Sequence, residues 1–310
     1  MVHDSLTRSI CETLNLRAYT VTTLNTARKI TGLHETSPNA TVALGRTITA
    51  AALLSATLKP DSDQSLLLKI EGTGPIREIH AQADARGNIR GYVANPQPDL
   101  TDSIDSLSFS KTIGAGFLTV RKDIGMKEPY TSVIPLQTGE LAADVAYYLT
   151  VSEQIPSAVI IALTLDREGS ITSSGGILIQ TFPGTQADVI GRVEENISSM
   201  KQSLGDSLME GTDIQNVLGE LFNNEVITVL DSRPVRASCR CDRTMIRRML
   251  TSLHREDIQD MIDKDGGAEI TCTFCNKKYY FNGEELAAIL RSKESRRGSR
   301  SSEPPKPGIH

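Results

Sequence analysis

Residues 66–93 read LLLKIEGTGPIREIHAQADARGNIRGYV. Three apolar-rich runs, 66–70, 76–83 and 89–93, are separated by two turn signals, Gly72-Thr-Gly74-Pro75 and Asp84-Ala-Arg-Gly87-Asn88. Gly tolerates positive φ, Pro fixes φ, and Asp and Asn bond their own backbone, so each signal reverses the chain. The runs are therefore expected to form a meander of antiparallel strands. Upstream, Ser37 can cap a helix whose first turn holds Pro38 and which runs through TVALGRTITAAALLSATLK until Pro60 stops it. Its Ala and Leu content marks it for the core. Downstream, strands are expected at FLTVRK and near YTSVIP, a helix from about Glu140 through LAADVAYYLTVSEQ, and a strand pair, SAVIIALTLD and GGILIQTF, turning at Arg167-Glu-Gly169-Ser170. The fold class read from this order is α+β, with a mixed α/β N-terminal domain built on a largely antiparallel sheet.

At about 150 residues per domain, 310 residues suggest two structural units. With 23% charged and 39% hydrophobic residues the chain is not wholly disordered. Its longest purely apolar run, 158–163, is far short of a bilayer span, so no membrane partner is expected. The N-terminus MVHDSLTRSI has no apolar stretch behind a basic start, which points to the reducing cytoplasm. Charge divides the chain: residues 1–231 carry a net −10 and residues 232–310 a net +5. An acidic body argues against nucleic-acid wrapping, although the basic appendage keeps a zinc-ribbon nucleic-acid module as the alternative reading.

Residues 1–182 are assigned to the N-terminal core and residues 183–235 to a helical linker. That linker contains TQADVIGRVEENISSMKQSL and TDIQNVLGELF, joined by a break at 205–211, and it reads as a connector more than a core. A short strand, VITVLD, and Pro234 lead to a module at 236–290. The last stretch, 291–310, rich in Arg, Ser and Pro, reads as a disordered basic tail. Cys11, in SICETLNLRAY, is expected on a helix, half-buried and without a redox role.

The remaining four cysteines carry the chemistry. Cys239-Arg-Cys241, 30 intervening residues and Cys272-Thr-Phe-Cys275 supply four thiolates in two close pairs, the donor set of a tetrahedral Zn²⁺ site. A module this small has little core of its own, so metal binding worth roughly 10–16 kcal/mol would supply most of its folding free energy. Arg236, Arg240 and Arg243 crowd the first pair and favour thiolate, the form that oxidants attack. Neighbouring cysteines could also close local disulfides as the metal leaves, and the one-residue gap of Cys239 and Cys241 would strain one of them. A purely architectural zinc knuckle is the plainer reading of the same spacing.

At this point the sequence resembles the 33 kDa redox-regulated chaperone family (33 kDa chaperonin, heat shock protein 33). The resemblance is carried by ETSPNATVALGRT at 35–47, GPIREIHAQADARGNIRGYV at 74–93, GELAADVAYYLTVSEQIPSAV at 139–159 and GGILIQTFPG at 175–184. The two cysteine pairs, with Phe274 and Asn276 flanking Cys275 and Tyr279-Tyr280-Phe281 behind, complete it. The resemblance implies an α/β domain, a helical linker and a C-terminal zinc redox domain. It implies one Zn²⁺ held by Cys239, Cys241, Cys272 and Cys275 in an inactive reduced state. It also implies that oxidation pairs Cys239 with Cys241 and Cys272 with Cys275, releases zinc, and unfolds the redox domain and linker. The opened form would hold unfolding client proteins without ATP, usually as a homodimer. Arg236-Ala237-Ser238 lacks an aromatic common before the first pair, and Asp242 stands where a small hydroxyl is usual; both bear on the rate of oxidation.

Other signals are set aside. Gly72-x-Gly74 and Gly114-x-Gly116 precede no helix and read as turn glycines. His80 falls in a strand pattern, and His254 is not needed where four thiolates fill a tetrahedron. No catalytic set stands out, so a binding protein and not an enzyme is expected. A thiol-disulfide oxidoreductase using Cys272 and Cys275 lacks the strand-to-helix setting of that motif.

Overall fold

The computed structural model describes residues 3–100, 107–186 and 188–300, the last eight of these by backbone alone. Contacts divide the chain into two units, Met1–Cys239 and Arg240–His310. The first begins with a hairpin, β1 (Ser5–Cys11) and β2 (Leu16–Thr22), followed by α1 (Leu24–Leu33) and α2 (Pro38–Ser55). The expected meander follows as β3 (Ser65–Gly72), β4 (Glu78–Asp84) and β5 (Asn88–Val93). A short helix α3 (Phe109–Ile113) precedes β6 (Gly116–Asp123) and β7 (Tyr130–Pro135). Then come α4 (Leu141–Ser152), β8 (Ser157–Leu165) and β9 (Ile171–Thr181). Three helices, α5 (Asp188–Ser198), α6 (Leu204–Met209) and α7 (Ile214–Leu221), lead to β10 (Thr228–Pro234) and β11 (Arg236–Ala237). The second unit holds α8 (Arg243–Ser252), α9 (Arg255–Asp265), β12 (Gly267–Thr271), β13 (Lys278–Asn282) and α10 (Gly283–Arg300).

Two sheets build the first unit, in the strand orders β10-β1-β2-β9-β8 and β11-β5-β4-β3-β6-β7. Among the described residues every ladder of this unit is antiparallel except the two-residue pairing of β11 with β5, so the α+β, largely antiparallel class is the one observed. Helix α2 packs against strands of both sheets, and of its eighteen residues only Pro38 and Arg46 escape burial. Small Ala and Thr side chains let it lie that close: Thr47 and Thr49 turn their hydroxyls back to the carbonyls of Ala43 and Gly45, at 2.7 and 3.0 Å. Ser37 caps it as expected, its side chain accepting from the Ala40 N–H. Gly72 and Gly74 stand at the β3–β4 turn, as read, and are also close contacts. Gly72 passes so near the carbonyl of Ile113 that a Cβ would lie 1.9 Å from it, and the Gly74 N–H donates to the same oxygen at 2.8 Å.

Several expectations differ from the structure. Cys11 ends a strand, not a helix: Asn15, at φ 52°, turns the chain after Glu12, and the burial of SLTRSIC follows a sheet face. The break expected at 205–211 contains α6, capped by Ser203, whose Oγ accepts from the Asp206 N–H at 3.1 Å. The linker helices also build a second core. Val189, Val193, Leu204, Ile214, Val217, Leu218, Leu221 and Phe222 pack over Cys11, Leu16, Ala18, Ala158, Ile177 and Ile179. Their polar look comes from the opposite faces, since the apolar positions of α7 recur at helical spacing. Helix α10 runs on to Arg300, ten residues into the stretch expected to be a tail; residues 301–310 lie outside the described residues. Glu285 and Asn282 start it as a reciprocal box, each accepting from the other's backbone N–H at 3.1 and 2.9 Å.

Candidate metal centre

The four cysteines singled out by spacing lie together, their Sγ atoms all within 4.8 Å of one another. Cys241 Sγ and Cys275 Sγ are 3.3 Å apart, and all five cysteines of the chain carry thiols. Four sulfurs at ~2.3 Å from one ion, on the corners of a tetrahedron, would be ~3.8 Å apart. The cluster fits that shell, and four soft donors select a metal such as zinc over magnesium or calcium.

Each pair is placed by local backbone chemistry. Cys272 and Cys275 occupy the turn of the β12–β13 hairpin, where Cys272 N–H donates to Lys277 O at 2.9 Å and Asn276 N–H to Cys272 O at 2.8 Å. Asn276 takes φ 55°, the left-handed conformation that closes the turn and aims both sulfurs to one side. Cys241 stands just before Asp242, which caps α8 by accepting from the Met245 N–H at 2.7 Å. Cys239, the last residue of the first unit, follows β11, and Ser238 N–H donates to Ile89 O at 2.8 Å.

Tyr279 and Arg90 both reach the first pair. The Tyr279 hydroxyl lies 2.9 Å from Cys241 O and 3.2 Å from Cys241 Sγ, and that hydrogen bond to sulfur is the main cause raising the phenol above its ordinary pKa. Arg90, from β5, points Nη1 at Cys239 Sγ at 3.7 Å while its Nε and Nη2 donate to Gln82. The arginines expected around this pair are partly engaged elsewhere. Arg236 donates to Asn88 at 2.8 Å, and Arg243 grips both oxygens of Glu285 at 2.6 and 2.8 Å while lying 4.3 Å from the centre of the Phe281 ring. Glu285 is held below the ordinary carboxylate range by that guanidinium. Sequence reasoning missed Arg90 because it lies 149 residues from Cys239, and no local spacing signals it. Burial pushes the Cys272 thiol up, so without a cation it favours the protonated form.

The residues set aside stay apart from the cluster. His254 precedes α9 at its N-cap position, and His80 stacks on Tyr92 with ring centres 4.6 Å apart. Cys11 is fully buried among the second core, 3.3 Å from the Thr13 hydroxyl. No described helix is long and apolar enough to cross a membrane.

The family model described as Hsp33 protein matches residues 4–282. A 33 kDa chaperonin of Geobacter sulfurreducens is 39% identical over 293 residues, covering 94% of this chain and 96% of the relative. One of Desulforamulus reducens is 34% identical over 296 residues, covering 95% of this chain and all of the relative. The crystal structure of the 33 kDa chaperonin (heat shock protein 33 homolog) of Thermotoga maritima superposes with a TM-score of 0.86 at 32% identity, covering 95% of this chain and all of that one. With nearly its whole length matched in sequence and in fold, the chain belongs to the Hsp33 family.

Proposed function

We propose that the chain is an ATP-independent holdase, not an enzyme, whose inactive form holds one Zn²⁺ through Cys239, Cys241, Cys272 and Cys275 and whose active form is oxidised. The convergence of those four sulfurs carries the reading. Bound zinc supplies the charge that keeps the sulfurs as thiolates and cross-links a module with few buried side chains of its own. Peroxide takes two electrons from each pair of thiolates: the O–O bond breaks, one S–S bond forms, and two protons taken from solvent complete two water molecules. Cys239 then bonds to Cys241 and Cys272 to Cys275, and disulfide sulfurs no longer offer the negative charge that held the ion.

The chain carries that event to an apolar surface. From Cys239 it runs back without a break through β11 and β10 to α7. Helices α5–α7 cover Leu16, Ala18, Ala158, Ile177 and Ile179 on the five-stranded sheet. Lifting them bares the sheet face and their own apolar stripes together, and contiguous patches beyond a few hundred Å² bind other chains. The net −10 of residues 1–231 helps keep the opened form soluble. Family resemblance adds that the oxidised form works as a homodimer on unfolding client proteins in the cytoplasm. The test follows light scattering from a heat-unfolding client with the protein reduced and zinc-loaded, or treated with peroxide. Suppression by the oxidised form alone is expected; equal suppression by both would overturn redox control.

A further inference from the structure

Tyr279 is 6% exposed, yet its hydroxyl is directed at a residue 38 positions earlier in the chain. It stands on β13 opposite Ile270, one strand of the hairpin whose turn carries Cys272 and Cys275. From there it meets Cys241 twice, at the carbonyl oxygen (2.9 Å) and at Sγ (3.2 Å). A phenol has one proton to donate. The one hydroxyl therefore stands within reach of both the Cys241 backbone and its sulfur.

We infer that Tyr279 is a positioning residue for the cysteine cluster: its hydroxyl ties Cys241 to the Cys272–Cys275 hairpin and lowers the reactivity of the Cys241 sulfur. The inference rests on the metal-binding reading of the four cysteines and deepens it. A hydrogen bond to a ligating sulfur draws electron density from its lone pair, so the thiolate attacks peroxide more slowly while the ligand set stays assembled. The two distances to Cys241 carry this role for Tyr279.

Co²⁺ serves as the probe, because its thiolate complexes show a sulfur-to-metal charge-transfer band whose energy reports electron density on sulfur. In Tyr279→Phe, which keeps the ring and removes the hydroxyl, the band is expected to move to longer wavelength. Co²⁺ affinity should fall by about 10- to 100-fold, the usual effect of losing a partner of a metal ligand, and thiol loss in peroxide should quicken. Replacing Tyr279 alone with 3-fluorotyrosine, a stronger donor of the same shape, should shift band and rate in the opposite directions. Tyr280→Phe, next in the strand and 58% exposed, should change neither. If Tyr279→Phe fails to fold, the fluorinated variant decides by the sign of its shift. An unchanged band and oxidation rate in both Tyr279 variants, with the native chain binding Co²⁺ through its thiolates, would overturn the inference. A native chain that takes up neither Co²⁺ nor Zn²⁺ would instead overturn the metal reading, and this inference with it.

Discussion

Glu78 and His80 lie two apart on one face of β4, with Glu78 Oε2 3.0 Å from His80 Nε2 and 3.9 Å from Lys69 Nζ. The hydrogen bond to His80 is the main cause holding the Glu78 carboxyl below its ordinary range. A carboxyl that titrates lower when folded contributes stability above its unfolded pKa, about 4.3, and loses it as pH falls through the folded value. Glu78→Gln should therefore lower the urea midpoint at pH 7, by a margin that shrinks as pH falls below about 4.3. The group is 40% exposed, which limits the difference to below about 1 kcal/mol. A gap that widens in acid would contradict the assignment. Single residues were unevenly legible in the sequence. The cluster of four cysteines could be read because the spacing that gathers such residues is local. Arg90 and Tyr279 could not, because they reach the sulfurs across 149 and 38 positions. Arg243 was expected at the first pair by proximity in sequence, yet a carboxylate offering two acceptors holds it instead.

Helix α7 places Ile214, Val217, Leu218 and Leu221 on one face, and all four are buried. Leu218 is fully enclosed in the second core. Truncation to Ala at such a site costs about 2–5 kcal/mol. If the helices are the cover over a client-binding face, Leu218→Ala should quicken amide exchange across α5–α7 and suppress client scattering while still reduced and zinc-loaded. Faster exchange with no gain in suppression would place the binding face elsewhere. The stripe on α7 was readable from its helical spacing, but the surface it meets was not, since β2, β8 and β9 are far away in sequence. The β12–β13 hairpin went unread because GAEIT is short and follows a helical run, and because C-x-x-C itself forms the turn. Helix α6 was hidden by Gly205, whose missing Cβ would lie 2.7 Å from Thr164 Cγ2; glycine there permits close packing and is not a break.

At the scale of the molecule, metal removal should divide the chain by stability. With chelator and peroxide together, amide exchange is expected to quicken first across residues 240–300, then across 188–237, while β1–β9 remain protected. Uniform loss of protection would show one cooperative fold and contradict a module held by its metal. The antiparallel character of the first unit was legible because Gly, Pro, Asp and Asn mark each reversal. The orders of the two sheets were not, because β9 pairs with β2 and β10 with β1 across gaps that no local pattern spans.

Both strands leading to the first cysteine pair are outermost: β10 closes one end of the five-stranded sheet and β11 one end of the six-stranded sheet. A terminal strand detaches by breaking one ladder instead of two, and β11 holds by only two residue pairs. Tension applied at Ser238 would meet the two residue pairs of β11 before the six of β10, and everything inward of β1 and β5 would keep its pairing. Detachment would also uncover the unused backbone donors and acceptors along β1, an open margin onto which an extended chain could be stitched.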